Sequence, residues 1–188
     1  MAQGHILGYT IRFENRSHAT APVQKATITH PLDPDPDFRT FRLGQFGWGG
    51  FVVDVPQNTP FYFGRLDRRA DLGLFVDVAA GIDVATGEAF WTFTAIDPAT
   101  GEMPTDATLG FLPPNDETHR GEGFASYIVR AKQTVASRSR IDAQARIVFD
   151  TEAPIDTPPI FNTIDAVAPS SQVASLLPGQ GGSEFLVQ

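Results

Sequence analysis

Leu72-Gly-Leu-Phe-Val-Asp-Val-Ala-Ala-Gly-Ile82 and Ala89-Phe-Trp-Thr-Phe-Thr-Ala95 are the two stretches that decide the fold. Apolar side chains recur at every second residue of both, as in β-strands with one face in a core. Asp83-Val-Ala-Thr-Gly87 lies between them, and its aspartate and glycine are typical of a turn. We therefore predict a β-hairpin. The similar string Asp97-Pro-Ala-Thr-Gly101 predicts a second turn of the same chemistry.

The rest of the chain continues this pattern of strands and turns. Further strands are expected at residues 5–15, 22–32, 51–55, 61–64, 123–132 and 141–149. Glycines within the aromatic stretch 38–48 predict bends or bulges, and residues 103–122, rich in Pro, Gly and Asp, predict a long surface loop. The single modest helical candidate is 171–177. The predicted fold class is therefore all-β, an antiparallel immunoglobulin-like β-sandwich.

The predicted domain organisation is a sandwich module, residues 1–165, followed by a linker. After Asp150 the chain is rich in Pro in 151–159 and rich in Pro, Gly and Ser in 166–182, which is linker composition. Phe185-Leu-Val187 is typical of the opening of a β-strand. We therefore expect 166–188 to be a Pro/Gly-rich linker and the first strand of a following domain, and the chain to be part of a larger protein.

Composition excludes several classes of partner and location. The formal net charge of −8 would repel the phosphate backbone of nucleic acids, so no nucleic-acid partner is expected. No apolar run approaches the roughly 20 residues of a membrane-spanning helix, so no membrane insertion is expected either. Cysteine is absent, which removes disulfide and zinc-thiolate sites and leaves the compartment open.

Motifs of catalysis are not recognisable in the sequence. It has no Gly-x-Ser-x-Gly elbow, no phosphate-binding glycine loop before a helix and no histidine pair at metal-ligand spacing. His5, His18, His30 and His119 are far apart, and each is expected to be a solvated side chain. The sequence therefore predicts that the protein is not an enzyme.

Two acidic sets are candidate calcium sites, because calcium takes six to eight oxygen ligands, mainly carboxylates and carbonyls. Asp33, Asp35 and Asp37 alternate with prolines; the alternative interpretation is a solvated strand end kept from edge pairing by its charge. The better candidate lies at the C-terminal boundary, where calcium would stiffen a junction between domains. Its members are Asp150, Glu152, Asp156, Asn162 and Asp165. The alternative there is an ordinary hydrophilic linker.

Trp48 and Trp91 indicate an alternative function, a carbohydrate-binding module. Sugar rings stack on exposed aromatic faces, while neighbouring polar groups bind the hydroxyls. Trp48, between two glycines, is the more exposed of the two by this interpretation. Both are also typical core residues of sandwiches. A polysaccharide partner is expected only under this alternative.

Seven strings along nearly the whole chain resemble a poorly characterised β-sandwich repeat module of very large exported bacterial proteins. They are Tyr9-Thr-Ile-Arg-Phe-Glu-Asn15, Leu32-Asp-Pro-Asp-Pro-Asp37, Thr40-Phe-Arg-Leu-Gly44, Gly110-Phe-Leu-Pro-Pro-Asn115, Gly121-Glu-Gly123, Ala145-Arg-Ile-Val-Phe-Asp150 and Asn162-Thr-Ile-Asp165. Such modules occur beside immunoglobulin, fibronectin type III or cadherin-like domains. The resemblance implies a secreted or cell-surface location and a non-catalytic structural or adhesion role, with neighbouring β-sandwich domains of the same chain as partners.

Overall fold

The computed structural model describes residues 5–165, which form β-strands joined by turns and loops, without a helix. The strands are β1 Ile6–Glu14, β2 Lys25–Pro31, β3 Pro36–Trp48, β4 Phe51–Val53, β5 Tyr62–Arg68, β6 Leu74–Asp83, β7 Glu88–Ile96, β8 Glu122–Ala131, β9 Arg140–Ala143, β10 Arg146–Phe149, β11 Ile155–Asp156 and β12 Ile160–Thr163. Within residues 5–165, no helix is long and apolar enough to span a membrane.

Two antiparallel sheets form the body of the protein. One has the strand order β1-β8-β3-β4, and the other has the order β11-β10-β2-β7-β6-β5. A third, small sheet pairs β12 with β9. The apolar side chains on the inner faces of the two large sheets form one core, so the predicted antiparallel sandwich is confirmed. It is immunoglobulin-like in its two-layer architecture.

The β6–β7 hairpin forms as the sequence predicts. Val78 lies opposite Phe93 in the register of the two strands. In the turn, the Asp83 carboxylate accepts a hydrogen bond from the Ala85 N–H at 2.8 Å, and Gly87 adopts a φ of 77° that favours glycine. The second turn repeats this geometry at Asp97, Ala99 and Gly101, with a φ of 74° at the glycine. The two strings therefore share turn chemistry.

Aromatic side chains from both sheets meet in the core around Phe93 on β7. Its ring contacts those of Phe13, Phe46, Trp48 and Phe111 at centroid distances of 5.7–5.9 Å. Aromatic pairs at such distances stabilise a core beyond the area they bury. Because these partners come from β1, β3 and the loop before β8, Phe93 joins one sheet to the other and to the loop that covers the end of the sandwich.

The loop at residues 103–122 is confirmed, although part of it lies inside the sandwich. Phe111 and Leu112 are completely buried. The Leu112 carbonyl accepts hydrogen bonds from the Val23 N–H at 2.9 Å and from the Asn15 amide at 3.0 Å. This loop therefore closes one end of the core.

The C-terminal part of the fold differs from the prediction in two ways. The expected strand 141–149 is divided at Gln144 and Ala145, because β9 pairs with β12 whereas β10 pairs with β2 and β11. The linker interpretation of 151–159 is wrong, since β11 lies within it and Thr157 hydrogen-bonds Ala145 through both its N–H, at 2.8 Å, and its hydroxyl, at 3.0 Å. The predicted linker, strand and helical candidate within 166–188 lie outside the described residues.

Replacing Phe93 by Ala should lower the free energy of unfolding by about 3–5 kcal/mol, because it leaves a cavity between the sheets. Phe63→Ala is the matched control: this ring on edge strand β5 is 74% exposed, and its loss should change stability by less than about 0.5 kcal/mol. Urea unfolding of both variants measures the difference. Equal effects of the two substitutions would contradict the central position of Phe93.

Candidate functional site

The C-terminal acidic set is dispersed over the surface. The Asp150 carboxylate accepts hydrogen bonds from the backbone N–H groups of Gln24, at 3.0 Å, and Lys25, at 2.7 Å, at the start of β2. Asp156 forms an ion pair with Arg146 at 2.8 Å, and this guanidinium lowers the pKa of the Asp156 carboxyl. These two carboxylates therefore stabilise the strands beside them.

The remaining members of the set have other surroundings. The Asn162 amide, on β12, donates a hydrogen bond to the Tyr9 hydroxyl at 3.1 Å. Asp165 lies beside Ser137, and Glu152 is exposed in the turn after β10. The structure does not bring the five predicted ligands of this set into one site.

The acidic set after β2 forms local hydrogen bonds. The Asp33 carboxylate accepts hydrogen bonds from the backbone N–H groups of Asp35, at 2.9 Å, and Asp142, at 3.1 Å. Asp37 pairs with the Arg39 side chain at 2.9 Å, and this hydrogen bond lowers the pKa of Asp37. Among residues 5–165, no group of three His, Asp or Glu side chains could hold a metal ion. Calcium binding by either set stays a prediction from the sequence.

The tryptophans do not form an exposed platform. Trp48 is 3% exposed and Trp91 is completely buried, so the interpretation of both as core residues is confirmed and the alternative of an exposed Trp48 is wrong. The glycines around Trp48 have a different role. A side-chain carbon at Gly47 would lie 2.1 Å from the Phe51 carbonyl oxygen, so glycine permits the close approach of β3 and β4. Neither indole face is available for stacking on a sugar.

A cavity of about 270 Å³ opens between strands β1 and β2 and the end of β9. Its walls include Tyr9, His30 and Tyr127, together with the 143–145 and 157–160 segments, and we call it the Tyr–His cavity. The Tyr9 and Tyr127 rings stack at 5.1 Å, and the His30 ring lies 5.7 Å from Tyr127. Three aromatic rings thus form one wall, and the rest of the lining is a mixture of aliphatic and polar side chains.

His30 is 3% exposed and lies on the inner face of β2. Its Nδ1 lies 2.9 Å from the Gln144 carbonyl oxygen. In a neutral ring, Nδ1 then carries the proton, which leaves Nε2 as an acceptor. Burial lowers the pKa of His30, although the hydrogen bond to Gln144 opposes this effect. The neutral imidazole is therefore the favoured form.

Tyr127, on β8, lines the same wall. The residue is 2% exposed, and its hydroxyl is buried without a hydrogen-bond partner. Burial raises the pKa of this hydroxyl, so it stays protonated. A buried hydroxyl without a partner is unfavourable, and native proteins contain few of them. The Tyr–His cavity is therefore lined partly by apolar side chains, and Tyr127 carries a buried hydroxyl that has no hydrogen-bond partner in the protein.

The expectation that His30 is a solvated side chain is wrong, and the signal that could have corrected it was present in the sequence. Ala26, Ile28 and His30 occupy every second position of one strand, so they share a face. All three are buried. Tyr127 follows the same rule between Ala125 and Val129.

Comparisons with known proteins give weak structural likeness. No family model matches the chain, and no curated protein matches it. The crystal structure of domains D2 and D3 of the major pilin SpaD from Corynebacterium diphtheriae is similar, with a TM-score of 0.46 and 13% sequence identity over 86% of this chain. The match covers 49% of that structure, so the chain spans about half its length. A TM-score below 0.5 is too low to transfer any property of that pilin to this chain.

The buried, neutral His30 should make stability depend on pH in a defined direction. Its pKa is lower in the folded chain than the usual 6.5, so protons favour the unfolded chain. His30 should therefore destabilise the fold progressively as the pH falls below about 6.5. In His30→Gln, whose amide can still donate to the Gln144 carbonyl, stability should decrease less between pH 7 and pH 5. Urea unfolding across this range measures both proteins, and identical pH dependence would contradict a buried neutral His30.

Proposed function

We propose that the chain is a non-catalytic structural or adhesion module of a larger secreted or cell-surface bacterial protein. This proposal rests on the way in which the last described residues are attached to the rest of the sandwich. Ile164 is 3% exposed and packs with Ala131 and Ile141 in a second, small core. Its N–H donates to the Ser139 carbonyl at 2.9 Å, and its carbonyl accepts from the Arg138 N–H at 2.6 Å. The segment leading to residue 165 is thereby held against the sandwich.

When the segment that leads out of a domain is held against that domain, a neighbouring domain is presented in a set direction. Inter-domain motion is the default where few contacts restrain the connecting chain. Here β11 and β12 add their own pairing to β10 and β9. The Arg146–Asp156 ion pair joins β10 and β11 at the surface. These contacts support a rigid junction with a neighbouring β-sandwich domain of the same chain, the partner that the sequence resemblance implies.

The surroundings of the histidines support a non-catalytic role. Nucleophilic catalysis requires a nucleophile within hydrogen-bond reach of a base. Within residues 5–165, His30 hydrogen-bonds a backbone carbonyl, whereas His119 pairs with Glu122 at 2.6 Å on the surface. Neither ring hydrogen-bonds a Ser or Thr hydroxyl in this part of the chain. Their contacts are those of a core residue and of a surface ion pair.

The proposed location is tested on the intact organism that produces the protein. Antibodies raised against the folded domain should label intact cells or the culture medium, and brief protease treatment of intact cells should remove the label. A cytoplasmic protein of the same cells serves as the control for lysis. Labelling that appears only after permeabilisation would contradict an extracellular module.

The calcium prediction is tested by thermal melting. A cation that binds only the folded chain raises the melting midpoint, whichever acidic set it uses. The prediction therefore requires a higher midpoint in millimolar calcium than in chelator. Magnesium, which prefers a stricter octahedral geometry, is the matched control. Equal midpoints with calcium and with chelator would contradict a calcium-stabilised module.

A further inference from the structure

Strand β1 is the end strand of its sheet, and its pairing with β8 uses only one of its two edges. The Asn15 N–H donates to the Gly121 carbonyl at 2.9 Å, just beyond the end of β1. At its start, the His5 carbonyl accepts from the Ala131 N–H at 3.0 Å. Hydrogen-bonded and non-hydrogen-bonded residues alternate along an antiparallel strand. The odd-numbered residues of β1 therefore bond to β8, and the even-numbered ones direct their N–H and C=O groups outwards.

Gly8, Thr10 and Arg12 are the even-numbered residues in the middle of β1. Within residues 5–165, their outward N–H and C=O groups form no hydrogen bond. A row of unpaired backbone groups on an end strand is a template for pairing with another chain. The edge of β1 can therefore accept a further strand.

The Tyr–His cavity lies along this open edge. Its lining includes four consecutive residues of β1, residues 9–12. Successive side chains of a strand point to opposite faces, so a cavity lined by consecutive residues follows the edge of the strand and not one face. The opposite wall includes Ile160, whose apolar side chain is 54% exposed. A strand added to β1 would fill the space between these two walls.

The cavity favours apolar side chains on the inner face of an added strand. Tyr9 and Ile11 point inwards from β1, and the aromatic wall of His30 and Tyr127 lies beside them. A dry cavity of about 150 Å³ is enough to hold a benzene ring. The 270 Å³ of the Tyr–His cavity therefore suits two small apolar side chains or one large one.

The outer face of the edge carries a positive charge. Arg12 is the one charged residue of the lining, and its side chain is exposed. Two carboxylates share this face of the sheet, Glu14 and Glu122, and both accept hydrogen bonds from the Asn115 amide, at 2.8 and 3.3 Å. Arg12 is a minor cause of the lowered pKa of Glu122, whose principal partner is His119. The guanidinium of Arg12 therefore remains available to an acidic group of a partner.

We propose that β1 binds an extended segment of a partner polypeptide as an added antiparallel strand, with an acidic residue opposite Arg12 and apolar residues opposite Ile11 and Tyr9. Antiparallel addition continues the pairing of the sheet, and parallel pairing is slightly less stable. Backbone hydrogen bonds supply affinity in this mode of recognition, and the alternate side chains supply specificity. This surface does not depend on the module's location or on calcium.

A synthetic peptide, acetyl-Lys-Thr-Glu-Val-Thr-Val-Lys-amide, tests the proposal by titration into the ¹⁵N-labelled whole chain. Its glutamate is placed opposite Arg12, and its valines are placed opposite Ile11 and Tyr9. Binding should slow the amide exchange of Thr10 and Arg12, whose N–H groups point outwards. The amide of Ile11 already bonds to β8 and is the internal control.

Two N-methylated forms of the peptide distinguish strand addition from simple contact. The N–H of the glutamate would donate to the Arg12 carbonyl, so methylation there should weaken binding at least about tenfold. The N–H of the first valine would point away from β1, so methylation there should change the affinity little. The two peptides have the same composition, and only the position of the methyl group differs.

Charge reversal tests the acidic position. Replacing the peptide's glutamate by lysine should weaken binding about threefold to tenfold, because an opposite-charge pair becomes a like-charge pair. Arg12→Glu should reverse this preference. Arg16→Glu is the matched control, because it makes the same change of charge at an exposed turn residue outside the cavity, and it should keep the preference for glutamate.

Thr10→Pro tests the backbone edge itself. It removes one outward N–H, and proline is tolerated on an end strand whose N–H faces solvent. We expect binding to weaken at least about tenfold, with urea unfolding used to verify that the variant is folded. If Thr10→Pro does not fold, the charge reversal at Arg12 still decides.

Four results would overturn the proposal. They are the absence of peptide binding, equal affinity of the two N-methylated peptides, and an unchanged charge preference in Arg12→Glu. The fourth is a dimer of the free chain that Thr10→Pro dissociates, because the edge would then belong to a second copy of this chain. Sedimentation of the free chain measures this last outcome.

Discussion

Packing between the inner faces of the two sheets, with Phe93 at its centre, is the interaction on which the rest of the structure depends. Close-packed aromatic side chains in a core leave little freedom for the elements that carry them. Because Phe93 contacts β1, β3 and the covering loop, its position determines how the sheets are spaced and how one end is closed. A β6–β7 hairpin alone would be marginal in water, so its stability also comes from this contact.

The Tyr–His cavity follows from the same packing, at the side of the core where β1 lies near β2 and the 143–145 segment. Tyr127 stacks on Phe41 as well as on Tyr9, which holds its hydroxyl in a fixed direction. The Gln144 carbonyl that binds His30 is available because the chain turns between β9 and β10. Thr157 then fixes that turn through Ala145. The cavity therefore depends on contacts made late in the sequence, in a segment whose composition resembles a linker.

Local patterns in the sequence were sufficient for most of the strands before residue 141 and for the two Asp–Gly turns, because strand alternation and these turns are properties of a few adjacent residues. They were insufficient wherever a residue forms a hydrogen bond or pairs in a sheet with a residue that is distant along the chain. The sequence pattern indicated Asp150 as a calcium ligand. It gave no sign that the Asp150 carboxylate accepts a hydrogen bond from the backbone N–H of Gln24, which is distant in the sequence. The glycines beside Trp48 indicated that the Trp48 side chain is exposed. One of them, Gly47, instead allows β3 and β4 to approach closely and pair. The prolines of 151–159 favoured a linker, but proline content carries no information about β-pairing with an earlier strand.

The central claim is that residues 5–165 act as one rigid unit, including the segment after β10. Native-state hydrogen exchange measures this directly, since amides in a cooperative unit exchange only when the whole unit opens. The N–H groups of Thr157 and Ile164 donate to the carbonyls of Ala145 and Ser139. The account predicts that these two amides are protected to nearly the same degree as the amides of β7. Exchange of Thr157 and Ile164 at the rate of an unstructured chain would contradict it.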